Sequence, residues 1–159
     1  MCAWSDYARH VIICVEDAFP AGTMARLEAA EPAQCFKVID QALDAGEGSR
    51  YLKSPVVWRD LRAEFVAERD RDYTVLAYHI APTHAHVLIR EAPRFSLEAT
   101  VERWKAVALA GSGDRMAFGK WIWAPGYYDQ ILREPSDIDA ARVAIDFHGT
   151  EPSNPPGAE

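Results

Sequence analysis

Residues 78–89 read Tyr78-His79-Ile80-Ala81-Pro82-Thr83-His84-Ala85-His86-Val87-Leu88-Ile89. The Ala-Pro-Thr step in the middle predicts a short turn between two apolar segments that have the composition of strands. Side chains alternate between the two faces of a strand, so His84 and His86 should point to the same face. Two imidazoles placed in this way can reach one metal ion. The stretch therefore predicts a β-hairpin whose two histidines are either a candidate metal site or two ordinary strand residues on an exposed face.

The rest of the chain is predicted to surround this hairpin with two more strands and four helices. Gly46 has the pattern of a helix end, and Ser54-Pro55 has the pattern of a helix start. The predicted strands are 8–15, 73–80, 84–89 and 127–132; the predicted helices are 32–45, 55–69, 96–110 and 137–147, with Ser96 and Ser136 as caps of the last two. This order is typical of an α+β fold, and it predicts a ferredoxin-like antiparallel sheet with helices on one face.

Composition narrows the class of protein. A chain of 159 residues with 49% hydrophobic residues can bury one core, so a single domain is expected over residues 1–148. The proline- and glycine-rich tail from 149 to 159 is predicted to be disordered. A formal charge of −7 makes extensive binding to nucleic-acid phosphates less expected. No apolar run of membrane-spanning length and no signal-peptide pattern occur, so a cytoplasmic protein with three reduced cysteines and no membrane partner is predicted.

Four ordered blocks of this chain resemble the REP-associated branch of the single-tyrosine HUH transposases. The resemblance covers about residues 48–148. Its blocks are Gly48–Val57, the strand-turn-strand Tyr73–Ile89 with Pro82-Thr83-His84-Ala85-His86, Arg103-Trp104-Lys105, and Trp123–Asp129 followed by Ile131-Leu132-Arg133. The resemblance implies the HUH transposase-like, ferredoxin-like fold. Members of the family bind and cleave hairpin ends of mobile elements, using a tyrosine nucleophile and a metal ion.

The chain departs from the family where the nucleophile is expected. No tyrosine follows Tyr128. Counted from Asp129 without a gap, Ala144 falls at the tyrosine position and His148 at the metal-facing asparagine position. The resemblance therefore implies a metal site made of His84, His86 and His148, without tyrosine chemistry. On its own, His148 also suits a favourable charge near a helix end.

Two further groups of residues are candidates for the site. The first consists of neighbours expected in a second shell or pocket: His10, Tyr127, Tyr128, Asp129 and Ala144. The alternative is packing, except for Asp129, for which it is pairing with an arginine at the end of a strand. The second consists of residues expected to contact an anion or nucleic acid, for which a solvated surface or a core position is the alternative: Arg103, Trp104, Lys105 and Arg133.

Three imidazoles favour a divalent transition metal, namely iron, copper, zinc or manganese, because magnesium prefers oxygen ligands. We expect a domesticated transposase that acts as a metalloenzyme on a small molecule, with oxygen-dependent chemistry as one option. The alternative is a non-cleaving protein that binds single-stranded or hairpin DNA. A small-molecule substrate is favoured over DNA, and a homodimer stays open.

Overall fold

The computed structural model describes residues 4–67, 71–112 and 123–150, and of residues 111–112 and 148–150 it describes the backbone alone. The strands are β1 (Ala8–Cys14), β2 (Tyr73–Ile80), β3 (His84–Glu91) and β4 (Tyr128–Leu132). The helices are α1 (Thr23–Ala29), α2 (Cys35–Leu43), α3 (Pro55–Val66), α4 (Leu97–Ser112) and α5 (Pro135–Thr150), with 3₁₀ turns at Pro32–Gln34 and Tyr51–Lys53.

The four strands form one antiparallel sheet in the order β2-β3-β1-β4. The two outer strands are β2 and β4, and β1 lies between β3 and β4. This arrangement confirms the predicted α+β class and the ferredoxin-like antiparallel sheet. The register places Ile12 of β1 opposite His86 of β3, and Cys14 opposite His84.

One face of the sheet packs on the two helices that connect its strands. Val11 and Val87 lie on this face, beneath Phe65 of α3 and Trp104 of α4. The indole Nε1 of Trp104 donates a hydrogen bond to Tyr73 Oη at 3.1 Å, so the largest buried side chain is also satisfied as a donor.

The opposite face is covered as well. Ile12 and Cys14 of β1 pack against Ile39 and Leu43 of α2. At the other end of this face, a separate cluster joins sheet residues to α5 and contains Ala77, Leu88, Ile138 and Ile145. The prediction of helices on one face alone was therefore incomplete. The physical reason is that β1 is apolar on both sides, and a strand buried on both faces needs cover on both.

Several element ends differ from the predictions. Helix α1 was not predicted; of its residues Thr23 alone is buried, so the segment lacks the apolar stripe that marks a helix in sequence. Ser96 caps α4 as predicted, since its Oγ accepts a hydrogen bond from the Ala99 amide at 3.3 Å. Ser136 does not cap α5, because that helix already begins at Pro135. A proline preorganised for the first helical position accounts for the shift.

The predictions for the C-terminal tail and the cysteines can be compared with the structure only in part. Helix α5 runs on to Thr150, so residues 149 and 150 are helical, while the rest of the predicted tail, 151–159, lies outside the described residues. Cys14 and Cys35 are free thiols, and Cys2 falls outside the description. Across the described ranges, no helix has the length and apolar character needed to cross a membrane.

Candidate functional site

The sheet gathers four histidines on the face that α2 and α5 cover. His79 of β2 lies directly opposite His86 in the register, so both rings point to the same side. His84 precedes His86 by two residues and shares its face. His10 lies two residues before Ile12, which is opposite His86, and it also shares this face. The tertiary structure thus adds His10 and His79 to the His84–His86 pair.

His10 and His86 are in direct contact across the two central strands. His10 Nε2 and His86 Nδ1 lie 2.9 Å apart, which is a hydrogen bond in which one ring donates and the other accepts. Burial of the ring lowers the pKa of His10 to about 4, because the protonated form loses its hydration. His10 is therefore neutral near pH 7, and its Nε2 can accept a hydrogen bond from His86 Nδ1.

His84 is held by its own neighbour in the turn. The hydroxyl of Thr83 lies 3.0 Å from His84 Nδ1, and Thr83 and His84 are both buried. The ring centroids of His84 and His86 are 5.0 Å apart. Both imidazoles are thus engaged through Nδ1, which is the pattern that orients Nε2 of a histidine toward a metal ion.

Asp40 of α2 approaches the same pair from the helix above. Its Oδ1 lies 3.7 Å from His86 Nε2, on the side of the ring opposite to His10. Asp40 was not among the residues predicted for the site. The signal was present, however, since Phe36, Ile39, Asp40 and Leu43 occupy one stripe of α2 at helical spacing. A carboxylate within an apolar stripe indicates a polar partner on the surface beneath it.

A cavity of about 170 Å³ lies beside these rings. His79, His84 and His86 line it together with Thr83, and Arg50 lies at its edge. A cavity of about 150 Å³ admits a single benzene ring, so this one has room for a small molecule or for one ring of a larger ligand.

The predicted third metal ligand is not placed by the structure. His148 belongs to the last turn of α5 by its backbone, and its side chain lies outside the described residues. Within the described ranges, no three side chains of His, Cys, Asp or Glu already stand in a ligand arrangement. The part of α5 with described contacts packs by Ile138 and Ile145 on the cluster at the far end of this face.

The predicted pocket residues of β4 lie at a different place. Tyr127, Tyr128 and Asp129 line a second cavity of about 480 Å³ between β4 and the α1–α2 segment. Burial raises the pKa of both tyrosines, so their hydroxyl groups stay protonated and neither is activated as a phenolate nucleophile. Asp129 binds Arg9 with a 2.6 Å contact between Oδ2 and Nη1. Ala144 is exposed on α5 and does not line the histidine cavity.

Three of the predicted anion-contacting residues serve internal contacts. Arg103 pairs with buried Glu64 at 2.6 Å. Trp104 is fully buried. Lys105 is buried and its Nζ donates to the carbonyls of Ala124 at 3.0 Å and Gly126 at 2.7 Å. Arg133 is exposed, with its guanidinium 5.8 Å from the centre of the Tyr7 ring. In the α4 block that resembles the transposases, Trp104 and Lys105 are therefore buried, whereas Arg103 is half exposed.

Comparison with known proteins supports the fold. No family model matches this chain, and no curated protein matches it. Among solved structures, the chain is similar to a REP-associated tyrosine transposase bound to a REP hairpin, with a TM-score of 0.55 and 13% identity over 91% of this chain and 67% of that chain. A candidate transposase from Deinococcus radiodurans aligns with a TM-score of 0.44 and 12% identity over 93% of each chain. The resemblance predicted from the sequence blocks is thereby confirmed at the level of the fold.

Proposed function

We propose that this chain is a metalloprotein of transposase fold that binds one divalent transition metal and a small molecule in the histidine cavity. The observation that carries the proposal is the convergence of His79, His84 and His86 on one cavity of about 170 Å³. Two buried histidines and a half-buried one, from two strands, thus bring ring nitrogens to one small cavity.

The donor atoms suit a transition metal. His84 and His86 are each engaged at Nδ1, by Thr83 and by His10. With Nδ1 as donor, each ring offers the lone pair of Nε2, and neutral imidazole is a good ligand for manganese, iron, copper and zinc. A third ligand from His148, as implied by the family alignment, stays a prediction of this proposal.

The dimensions and charges of the cavity favour a small ligand. Its volume of about 170 Å³ suits a small molecule, and its lining includes one basic side chain, Arg50, and one acidic side chain, Asp44. A bound metal with an open position would supply Lewis-acid polarisation, or activation of water or dioxygen, next to that ligand. The protein's own part is to hold the rings, exclude bulk water and orient the small molecule.

Tyrosine chemistry is left out of this proposal. No tyrosine follows Tyr128, and Tyr127 and Tyr128 line the other cavity. We therefore expect no covalent protein–DNA adduct on hairpin oligonucleotides in the presence of magnesium or manganese. Formation of such an adduct would contradict this part of the proposal.

A second candidate function is binding of a DNA hairpin without cleavage. The fold likeness to a transposase bound to a REP hairpin favours it. The net charge of −7, the burial of Lys105 and the pairing of Arg103 with Glu64 weigh against it. Binding in the sub-micromolar range that weakens steeply with salt would favour this candidate over the small-molecule proposal.

The test is a metal analysis of protein purified without a histidine tag. We expect about one equivalent of a first-row transition metal in the wild-type chain. His84→Ala and His86→Ala should each lose it while retaining the circular dichroism of the fold. Lys37→Ala, an exposed substitution on α2, is the control for purification and handling. Equal metal content in all four proteins would refute the site.

A further inference from the structure

We propose that the small molecule held in the histidine cavity is a small amino acid, with its carboxylate at Arg50 and its ammonium group at Asp44. This inference rests on the small-molecule site proposed above and names the chemical class of its ligand. It follows from two opposite charges in the lining of the cavity, from the way their backbone is held, and from the size of the space beside them.

The first step concerns charge. Apart from the histidines, two charged side chains occur among the described residues that line the cavity, Asp44 and Arg50. Both are exposed, and neither side chain has a hydrogen bond or an ion pair with another described residue, including each other. A ligand with one charge is attracted by one of these side chains and repelled by the other. A zwitterion is attracted by both, so the lining favours it over a simple anion or cation.

The second step concerns Arg50, whose backbone is held on both sides. The amide and the hydroxyl of Ser49 donate hydrogen bonds to the carboxylate of Asp17, at 2.9 Å and 2.7 Å. The amide of Leu52 donates to the carbonyl of Pro82 at 3.1 Å, which ties this segment to the turn before β3. Arg50 therefore starts from a fixed point beside the cavity, and its planar guanidinium can donate two parallel hydrogen bonds to a carboxylate.

The third step concerns Asp44, which lies at the C-terminal end of α2. The amide of Asp44 donates to the carbonyl of Asp40 at 3.1 Å, and the amide of Gly46 donates to the carbonyl of Leu43 at 3.0 Å. The C-terminal end of a helix carries a partial negative charge that favours cations. This partial charge and the carboxylate of Asp44 act in the same direction, so the ammonium group belongs at this end of the cavity.

The fourth step concerns size. The volume of about 170 Å³ is close to that of a cavity that holds one benzene ring. Alanine has as many non-hydrogen atoms as benzene. Leu43, Ala81 and Pro82 in the lining offer apolar surface to a short aliphatic side chain. The ligand is therefore an amino acid of about the size of alanine.

The experiment compares L-alanine with two ligands of nearly the same shape that each lack one charge. L-Lactate has a hydroxyl in place of the ammonium group, and L-alaninamide has an amide in place of the carboxylate. The full, tag-free chain is treated with a chelator, so that a bound metal contributes no affinity. Binding is followed by nuclear magnetic resonance, in which the amides of Gly46 and Thr83 report on the histidine cavity and that of Gln130 reports on the other cavity.

We expect L-alanine to shift the amide signals of Gly46 and Thr83, and not that of Gln130, with a Kd of about 1 mM or lower. L-Lactate and L-alaninamide should each bind about fivefold more weakly or worse, because each leaves one charge of the cavity without a partner. Equal binding of the three ligands, or a shift at Gln130 alone, would overturn the amino-acid proposal.

Substitutions then identify which end of the ligand meets which residue. Arg50→Gln should weaken binding of L-alanine by about fivefold without weakening that of L-alaninamide, which has no carboxylate to lose. Asp44→Asn should weaken binding of L-alanine by a similar factor without weakening that of L-lactate. Glu47→Gln is the matched control, since Glu47 is exposed between these two residues and does not line the cavity.

The control should stay within about twofold of the wild type, because an exposed charge is screened. If Glu47→Gln weakens L-alanine binding as much as Asp44→Asn does, the effect belongs to the general charge of the segment and the proposal fails. Metal bound by the wild-type chain, with no amide shift from any of the three ligands, would overturn the amino acid and leave the metal site in place. Absence of both metal and ligand binding would overturn both proposals.

Discussion

The two sides of strand β3 are buried to the same degree but have different chemistry. Ala85, Val87 and Ile89 are 0% exposed and pack beneath α3 and α4, whereas His84 and His86 are 5% and 3% exposed and face α2. Burial by itself therefore does not distinguish the core from the candidate site. The difference is in the polar atoms, since Nδ1 of His84 and Nδ1 of His86 lie within hydrogen-bonding distance of Thr83 and His10.

This comparison predicts that substitutions on the two faces of β3 change different properties of the protein. Substitutions on the face beneath α3 and α4, here called the core face, should lower the free energy of unfolding. Substitutions on the face that carries the histidines, here called the histidine face, should mainly change metal affinity.

The largest expected effect belongs to Trp104 on the core face. It is fully buried and donates to Tyr73 Oη, so Trp104→Ala should lower the free energy of unfolding by about 3–5 kcal/mol. Denaturant titration measures the change. Trp4→Ala, at a side chain that is 41% exposed, is the control and should cost less than about 1 kcal/mol. Similar losses in the two variants would mean that α4 does not anchor the core.

The next largest effect is expected at Lys105 of α4, and it tests whether this cation stabilises the fold. Lys105 donates to two carbonyls in the segment before β4, so Lys105→Met should lower the free energy of unfolding by about 2 kcal/mol. Arg133→Met, at an exposed position, should change it by less than about 0.5 kcal/mol. If thermal and denaturant unfolding do not separate the two variants, Lys105 is a solvated charge that remains available to phosphate.

On the histidine face, His10 should act through His86. Loss of the 2.9 Å hydrogen bond in His10→Ala should weaken metal binding by about tenfold, with the fold retained. His10→Gln keeps a side chain able to hydrogen-bond Nδ1 and should recover part of the affinity. Calorimetric titration of both variants distinguishes this positioning role from simple packing, which glutamine would restore no better than alanine.

The smallest expected effect is the pH dependence that comes from Glu91 at the end of β3. Burial alone would raise the pKa of Glu91, but hydrogen bonds from Arg9 and Tyr7 outweigh it and lower the pKa. A lowered pKa means that the unfolded chain binds the proton more tightly, so this stabilisation is present above the ordinary pKa of glutamate. It is lost as the pH falls through the lower, folded-state value.

In Glu91→Gln, the free energy of unfolding should therefore fall less steeply with decreasing pH below about pH 4.5, the range in which glutamate titrates in the unfolded chain. The measurement is the free energy of unfolding from pH 7 down to pH 3. Glu98→Gln, at an exposed position on α4, should leave the acid limb as steep as in the wild type. An unchanged slope in Glu91→Gln would mean that the network around Arg9 adds no net stability.

Much of the fold could be predicted from local patterns. Strand β2 was predicted with the bounds it has, Tyr73–Ile80, and β3 begins at the predicted His84, because apolar alternation and a proline turn act within a few residues. Helix α1 could not be predicted in this way, since it is seven residues long and largely exposed. Its position depends on contacts with α2 that no short window of sequence contains.

In the candidate site too, some features follow from local sequence and others from tertiary packing. The sequence by itself determined that His84 and His86 share a face, because the two-residue period of a strand is a local property. It also determined the absence of any tyrosine after Tyr128. Only the tertiary structure decided that His10 contacts His86, that Asp40 lies over it, and that Lys105 is committed to backbone carbonyls. His10 and His86 are 76 positions apart in the sequence, and Asp40 and His86 are 46 positions apart. Lys105 is 19 and 21 positions from the two residues whose carbonyls it contacts. All of these contacts depend on how different elements pack together and not on a pattern within one element.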